Sequence, residues 1–325
     1  MKDIIIVFMK KAYFLLILVA GILGGCRKSA THEESAYLDV EPGWPKGEFS
    51  AYWRQGNAEI SRFSLSQNRY RDLHPGEAVL IFVAEDFLAD RQVKNERYEQ
   101  RNSVPVLKLN AIHRFTTGIY DYSVMSSVFS PIQPGGLSLP LKVTNSSQDW
   151  CGQTFMQINR YRHRLKLSWN SYFELEGDGH AAMQALPLED GLWAQVRTDP
   201  GALPTGRFEI LPPLAFLRLM HLPVQAYDAE GSIEEYEGDI FNGAALKVYR
   251  LVYPGLQRTL EIVFEGVHPY QITGWRETYP ALGDKELRST IAKRTNQAMS
   301  PYWKLNNLSD LGWRDSLGVK GFPLD

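Results

Sequence analysis

Hydrophobic and polar residues alternate along most of this chain with a period of two. Leu165–Trp169 is one such stretch, whereas Ala78–Val83 is a continuous apolar run. Alternation predicts strands with one wet face, and a short apolar run predicts a more deeply buried strand. Aromatic residues are spread along these stretches, as is usual in strands. The pattern predicts strands over residues 48–53, 58–63, 78–83, 104–115, 118–129, 139–144, 154–159, 165–176, 246–253, 258–264 and 270–278.

Turn residues separate several of these predicted strands. Gly56-Asn57 predicts a hairpin between residues 48–53 and 58–63. Pro254-Gly255 and His268-Pro269 predict the two turns of a three-stranded meander near the end of the chain.

Three segments predict helices. Residues 188–197 have Glu189 and Asp190 in the first turn, which favours a helix N-terminus, and Asp199-Pro200-Gly201 would end it. Residues 284–299 are the second segment, and 303–317, with leucines three apart, are the third. We therefore expect a mainly β or α+β fold, with long antiparallel strands in an open, curved, barrel-like sheet and a few packing helices.

The first residues of the chain have the pattern of an export signal. Lys10 and Lys11 precede the apolar run Ala12–Ile22, and Leu23-Gly24-Gly25-Cys26 has the form of a lipobox. The run is shorter than the ~20 residues that a spanning helix needs. The sequence thus predicts a lipoprotein signal peptide over 1–25, with Met9 as a possible true start, and lipidation of Cys26. The alternative is an uncleaved anchor helix that would carry two lysines inside it.

The signal peptide predicts a location in the cell envelope. Arg27, rather than an Asp, follows the cysteine, which resembles the pattern that permits sorting of lipoproteins to the outer membrane. We therefore expect a lipid anchor in the outer membrane, with the protein facing the periplasm or the outside. Residues 26–43 are polar and predict a flexible tether. Residues 44–325 would then form a β-rich globular body, either as one domain or as two packed halves.

Charge and cysteine content narrow the function classes. The chain has a net charge of −2, which gives no electrostatic attraction to nucleic acid, so we expect no nucleic-acid partner. Of two cysteines, Cys26 would carry the lipid and Cys151 would be left unpaired. The fold must therefore rest on its hydrophobic core without a disulfide framework.

Common catalytic motifs are missing from the sequence. It contains no G-x-S-x-G, H-E-x-x-H, P-loop, G-x-G-x-x-G or C-x-x-C pattern. Cys151 is the one candidate nucleophile, and it would need His113 or His163 nearby as a base. We favour the interpretation that Cys151 is a small buried residue at a strand end. We expect no cofactor and no metal site.

Three local clusters allow a binding interpretation beside a structural one. Glu174–His180 could hold Ca²⁺ but is more typical of a solvated strand face and a turn. Arg160–Arg164 could contact anionic groups, although a charged loop is the simpler interpretation. Phe208–Tyr227 is strongly apolar but contains prolines, so it would form core, line a lipid pocket or lie beside a bilayer.

Several longer strings of the chain are distinctive, namely residues 52–60 (YWRQGNAEI), 76–83 (GEAVLIFV), 106–110 (VLKLN), 117–120 (TGIY), 146–152 (SSQDWCG), 203–206 (LPTG) and 269–275 (PYQITGW). Together they resemble a family of envelope lipoproteins from Bacteroidota whose members are often called septum formation inhibitor Maf. The resemblance spans most of the body and implies an exported lipoprotein. Maf pyrophosphatases carry a Ser-x-Ser-Pro-Arg-Arg motif, and the nearest segment here, Ser64–Arg69, lacks its Pro-Arg-Arg. The resemblance therefore does not imply their activity.

Two functional hypotheses follow. The first is a non-enzymatic envelope lipoprotein whose curved sheet binds a lipid, a glycan or another envelope protein, similar in architecture to periplasmic lipoprotein carriers. The second is an exported hydrolase that acts on an envelope polymer, which would need a pocket with a carboxylate pair or with Cys151 beside a histidine. Fold alone does not decide between them.

Overall fold

The strands of this chain join into one open antiparallel sheet. The computed structural model describes residues 43–99, 101–133 and 135–319. Within them the sheet has 15 strands, and the predicted mainly β fold with few helices is confirmed. The strands are β1 (Ala58–Arg69), β2 (Asp72–Leu88), β3 (Val93–Lys94), β4 (Ser103–Thr117), β5 (Tyr120–Pro131), β6 (Lys142–Asp149), β7 (Gly152–Tyr161), β8 (Arg164–Ser171), β9 (Gly179–Gln184), β10 (Gly206–Ile210), β11 (Tyr227–Glu235), β12 (Leu246–Tyr253), β13 (Arg258–Glu265), β14 (Ile272–Pro280) and β15 (Leu287–Ser300).

Four α-helices and four short 3₁₀ turns accompany the sheet in the described part of the chain. The helices are α1 (Glu48–Trp53), α2 (Glu189–Thr198), α3 (Leu214–Met220) and α4 (Trp313–Leu317). The 3₁₀ turns are Pro200–Ala202, Pro254–Leu256, Tyr302–Lys304 and Leu308–Gly312.

The order of the strands explains where the helices lie. Neighbours run β10-β11-β12-β13-β14-β15-β1-β2-β4-β5-β6-β7-β8-β9, with β3 paired to β2. The last strand, β15, thus pairs with the first, β1, and joins two meanders at the centre of the sheet. The two edges, β9 and β10, are consecutive in sequence, so the chain between them must cross one face. Helix α2 makes that crossing and packs on β4 and β5.

The sheet bends around this face, which we call the inner face. The rings of His113 on β4 and Trp275 on β14 stack with their centroids 5.7 Å apart. Four strand spacings separate β4 from β14, and in a flat sheet that distance would be about 19 Å. The contact therefore requires a strongly curved sheet.

Helices α1, α2 and α3 and the inward side chains of the sheet form the main hydrophobic core. The largest buried members from the sheet include Phe63, Phe82 and Phe264, and α2 contributes Leu192. On the outer face a smaller cluster around Ile60 and the other outward apolar residues of β1 and β2 is covered by the C-terminal segment. The inner face is therefore the side of the sheet that carries most of the buried side chains.

The prediction of a strand over residues 48–53 was wrong, because this segment forms helix α1. Its apolar residues Phe49, Tyr52 and Trp53 are spaced three and four apart, which places them on one side of a helix. Trp53 is buried and its ring packs 6.3 Å from that of Phe82. Because it packs on the sheet, this helix needs little intrinsic stability.

The prediction of a helix over residues 284–299 was also wrong, because most of this segment forms strand β15. Local composition favours a helix, but helix propensity is a weak effect that tertiary pairing overrides. Strand β15 bonds to β1 on one side and to β14 on the other. Thr290 and Ala292, two residues apart, are buried toward the inner face, which is a strand period.

Smaller boundaries also differ from the predictions. The predicted helix 303–317 is divided into short turns that end in α4, and the predicted strand 165–176 stops at Ser171. Strand β6 starts at Lys142 rather than at residue 139, and β9, β10 and β11 have no predicted counterpart. Helix α2 and the meander β12–β14 follow the predictions closely. The predicted signal peptide, Cys26 and almost all of the tether lie outside the described residues.

Candidate functional site

The inner face of the sheet is largely filled by the protein's own side chains. Between α2, α3 and the sheet there remains a cavity of about 90 Å³. Pockets for small organic ligands are usually about 300–1,000 Å³, whereas this volume suits a few water molecules. The centre of the curved sheet is therefore not an empty groove.

A buried ion-pair network around Arg258 connects α2 to the sheet beside this cavity. The guanidinium of Arg258 donates to both carboxylate oxygens of Glu189, each at 2.5 Å, and its Nε donates to Glu277 at 2.6 Å. The hydroxyl of Tyr253 donates to Glu189 at 2.6 Å. Burial raises the pKa of Glu277 above its ordinary value, although Arg258 opposes this shift. Each nitrogen of the Arg258 guanidinium thus has a carboxylate acceptor.

A second buried ion pair holds the other end of α2. Arg197 donates to both carboxylate oxygens of Glu59 on β1, and Tyr52 of α1 donates to the same carboxylate. Burial alone would raise the pKa of Glu59, but Arg197 outweighs it and holds this pKa below its ordinary value. Burial raises the pKa of Tyr52 to about 12, with the nearby Glu59 charge adding to the shift. The two ion pairs fasten both ends of α2 across the sheet.

Two further titratable groups line the cavity. Asp190 accepts a hydrogen bond from the backbone N–H of Leu214, 3.1 Å away, at the first residue of α3. Burial raises the pKa of Asp190 to about 7, and burial lowers the pKa of His113 to about 4. A carboxylate pair is thus present near Arg258, but Glu189 and Glu277 are both bonded to that arginine. The cavity is too small for a segment of an envelope polymer.

A larger cleft opens between the sheet and α3. Its volume is about 400 Å³, within the range of small-molecule sites. Strands β7 and β8 form one wall, and α3 with the residues after it forms the other. The lining residues are Thr154, Met156, Trp169, Asn170, Ser171, Leu175, Glu176, Leu217, Arg218, His221, Leu222, Pro223 and Val224. Seven of these thirteen residues are apolar, and the other six carry polar or charged groups.

Arg218 is the buried cation of this cleft. It lies on α3 and is only 6% exposed. Its Nε donates to Thr154 Oγ1 at 2.9 Å, and its guanidinium carbon lies 4.3 Å from the centre of the Phe173 ring. The nearest carboxylate oxygen, on Glu176, is 4.0 Å from Nη1, beyond hydrogen-bond distance. Among the described residues, no acceptor is hydrogen-bonded to Nη1 or Nη2.

Glu176 is engaged by other partners. One carboxylate oxygen lies 2.5 Å from Nδ1 of His221, and the other accepts the Ser171 hydroxyl at 2.6 Å. Its backbone carbonyl lies 3.4 Å from the indole nitrogen of Trp169. These contacts hold the loop after β8 against α3 and fix the mouth of the cleft.

Cys151 is exposed, contrary to the expectation of a buried residue. It lies in the turn between β6 and β7, where its backbone N–H donates to Asp149 at 2.6 Å. Its thiol lies beside Tyr172, whose pKa is raised first by desolvation and further by the nearby Cys151 and Asp149. No hydrogen bond in the described part of the chain joins Cys151 to His113 or His163. The geometry expected of a Cys–His pair is thus not formed there.

The other sequence clusters have structural contacts. In the segment 174–180, Asp178 accepts the backbone N–H of Ser171 at 3.1 Å and forms part of the loop. No group of three metal-ligating residues is found within residues 43–99, 101–133 and 135–319. Of the basic cluster 160–164, Arg160 is buried and donates to the carbonyl of Pro140 at 3.3 Å. The apolar segment 208–227 contains the end of β10 and all of α3, and its second half lines the cleft.

Sequence reasoning missed Arg218 and the cleft. A signal was present, because Arg218 is the only charged residue in the apolar helix segment Leu214–Met220.

In the described part of the chain, no helix combines the length and the hydrophobicity needed to span a membrane.

Comparisons with protein-family models, with curated proteins and with solved structures find no match to this chain. The resemblance to Bacteroidota envelope lipoproteins therefore stays a prediction.

Proposed function

We propose that this protein is a lipid-anchored envelope protein that binds an amphiphile without chemical conversion. The anchor is Cys26 of the lipobox, in the outer membrane, and the binding site is the cleft beside α3. The cleft is the observation that carries the proposal. It is open, it has the volume of a ligand site, and its lining combines seven apolar side chains with six polar or charged ones, as an amphiphile requires.

The filled inner face favours this cleft over the centre of the sheet as the ligand site. A cavity of about 90 Å³ has no room for an acyl chain unless α2 leaves the sheet. Two buried ion pairs hold α2 in place. The cleft beside α3 offers its volume without such a rearrangement.

An exposed apolar rim near the cleft supports a lipid-like ligand. The rim consists of Ile119, Trp150, Tyr172 and Leu175. These residues lie in the turns β4–β5 and β6–β7 and in the loop after β8, which are all at the same end of the sheet. Trp150 is 71% exposed and Leu175 is fully exposed. Leu175 also lines the cleft, so the rim and the cleft mouth are continuous. Side chains of this kind are typical of surfaces that meet lipid.

Mass spectrometry of the protein purified from its native membrane tests the proposal. The full chain, extracted in a mild detergent, is expected to carry an amphiphile in stoichiometric amount, identified in an organic extract. Val224→Trp places an indole in the cleft and is expected to abolish the co-purified amphiphile. Val267→Trp, at an exposed position outside the cleft lining, is the matched control and is expected to retain it.

Two results would overturn the proposal. One is a wild-type protein whose extract contains no amphiphile beyond its own Cys26 acyl chains. The other is an equal amount of amphiphile in the wild type and in Val224→Trp, since binding would then lie elsewhere. Circular dichroism of both tryptophan variants checks that each is folded.

A further inference from the structure

We infer that the cleft beside α3 selects amphiphiles with an oxyanion head group, a carboxylate or a phosphate, and that Arg218 binds this group. The inference rests on the proposed function, because it assigns the ligand class of the same cleft. Its physical basis is the set of unused hydrogen-bond donors on Arg218.

A guanidinium has five N–H donors in a planar fork. In Arg218 the Nε donor is bonded to Thr154, which leaves the four donors on Nη1 and Nη2 without an acceptor among the described residues. In the described part of the chain, no Arg218 nitrogen belongs to the fully enclosed side-chain atoms that lack a hydrogen bond, so its unpaired Nη donors reach open space. By contrast, the buried Arg197 on α2 and the buried Arg258 on β13 are paired on both Nη groups.

The unpaired donors on Nη1 and Nη2 of Arg218 are available to a ligand in the cleft. Arg218 is part of the cleft lining, and its other sides are occupied by Thr154 and the ring of Phe173. A carboxylate or phosphate fits two parallel N–H donors of a guanidinium in a bidentate pair. The apolar wall of Met156, Leu217 and Leu222 then faces the remainder of the ligand.

The carboxylate of the neighbouring Glu176 is not the acceptor for the Nη donors of Arg218. Its two carboxylate oxygens are bonded to His221 and Ser171, and its nearer oxygen is 4.0 Å from Arg218 Nη1. The Nη1 and Nη2 donors of Arg218 therefore remain open to an acceptor from outside the protein.

Binding of three C12 probes with different head groups tests the inference. The probes are laurate, dodecyl phosphate and dodecyl maltoside, titrated below their micelle concentrations into the full chain carrying Cys26→Ser, which removes the acyl anchor. The two anionic probes are expected to bind at least about tenfold more tightly than the maltoside, as a charge-assisted hydrogen bond gives. Comparison of laurate with dodecyl phosphate distinguishes the two sources of the oxyanion.

Arg218→Met is expected to lower the affinity for the two anionic probes about tenfold to hundredfold and to leave the affinity for dodecyl maltoside unchanged. Arg218→Lys keeps the charge but not the fork, so an intermediate loss is expected, and this variant serves if the methionine variant does not fold. Arg207→Met, at an exposed arginine outside the cleft, is the matched control and is expected to bind like the wild type.

The outcomes separate the two proposals. Equal affinity of laurate and maltoside for the wild type, or an unchanged preference in Arg218→Met, overturns the anion assignment and leaves amphiphile binding intact. Absence of binding by all three probes overturns both.

Discussion

Arg258 and Arg218 are both buried on the inner side of the sheet, yet their hydrogen bonding differs completely. Arg258 donates through Nε, Nη1 and Nη2 to two carboxylates. Arg218 donates only through Nε, to a threonine hydroxyl. The cavity beside Arg258 is about 90 Å³, whereas the cleft beside Arg218 is about 400 Å³.

The difference separates a structural ion pair from a binding group. A guanidinium whose nitrogens all have acceptors joins elements of the fold and has little capacity left for a ligand. A guanidinium with unused donors next to an open volume is a place for an external acceptor. The two arginines should therefore respond differently to the same substitution, Arg to Met, which keeps much of the apolar stem and removes the charge.

Arg258→Met is expected to cause the largest loss of stability. It leaves the buried carboxylate of Glu189 and the partly exposed carboxylate of Glu277 without their counter-charge, and breaking a buried pair in this way costs about 3–5 kcal/mol. The free energy of unfolding, measured by urea denaturation at pH 7, checks this value.

The matched control is Arg207→Met, in an ion pair with Glu230 where the arginine side chain is 89% exposed. We expect it to cost less than about 1 kcal/mol. Similar losses for the two variants would show that the Arg258 network contributes no more than a surface pair.

Asp190→Asn is expected to change how stability depends on pH. Burial raises the pKa of Asp190 in the folded protein from 3.8 to about 7, with the Leu214 N–H and Arg258 opposing and Glu189 adding to the shift. Folding therefore takes up a proton between pH 4 and pH 7, so rising pH opposes folding. We expect the stability of the wild type, relative to the asparagine variant, to fall by about 3–4 kcal/mol across this range.

His113 acts in the opposite direction over part of the same range. Burial lowers its pKa from 6.5 to about 4, so folding releases a proton there and rising pH favours folding. Both proteins contain His113, so its contribution cancels when the free energy of unfolding of Asp190→Asn is subtracted from that of the wild type. Urea denaturation at pH 4, 5.5, 7 and 8 provides the measurement, and Asp228→Asn, at an exposed position, is the control. A pH-independent difference would mean that Asp190 has an ordinary pKa.

The sequence predicts the fold class because strand patterns recur along the whole chain. The meander β12–β14 is predicted well, since strong alternation coincides with proline and glycine turns. Strand β15 is missed because its local composition favours a helix, while its strand geometry comes from pairing with β1, more than 200 residues earlier in the chain. A long-range pair of this kind leaves no local pattern.

The candidate site is less predictable than the fold. The cleft is formed by the β7–β8 hairpin and by α3, which begins more than 40 residues after β8 ends, so no local motif describes it. The sequence predicts a buried Cys151 because unpaired cysteines usually are buried, but a tight turn between β6 and β7 holds it outward. Arg218 is visible in the sequence as one charge in an apolar helix. Its missing acceptors become apparent only when Thr154, Phe173 and Glu176 are placed around it.

Arg218→Met is expected to have the smallest effect on stability of the substitutions at buried charges. The wild-type side chain loses one hydrogen bond to Thr154 and one cation–π contact with Phe173 when it is replaced, which together contribute about 1–2 kcal/mol. Removing a buried charge with unused donors offsets part of that loss. The free energy of unfolding is measured without ligand and then with saturating laurate. Laurate is expected to stabilise the wild type and to have little effect on the variant, because a ligand stabilises only the state that binds it. A loss as large as that of Arg258→Met, with equal stabilisation of both proteins by laurate, would make Arg218 a structural residue like Arg258.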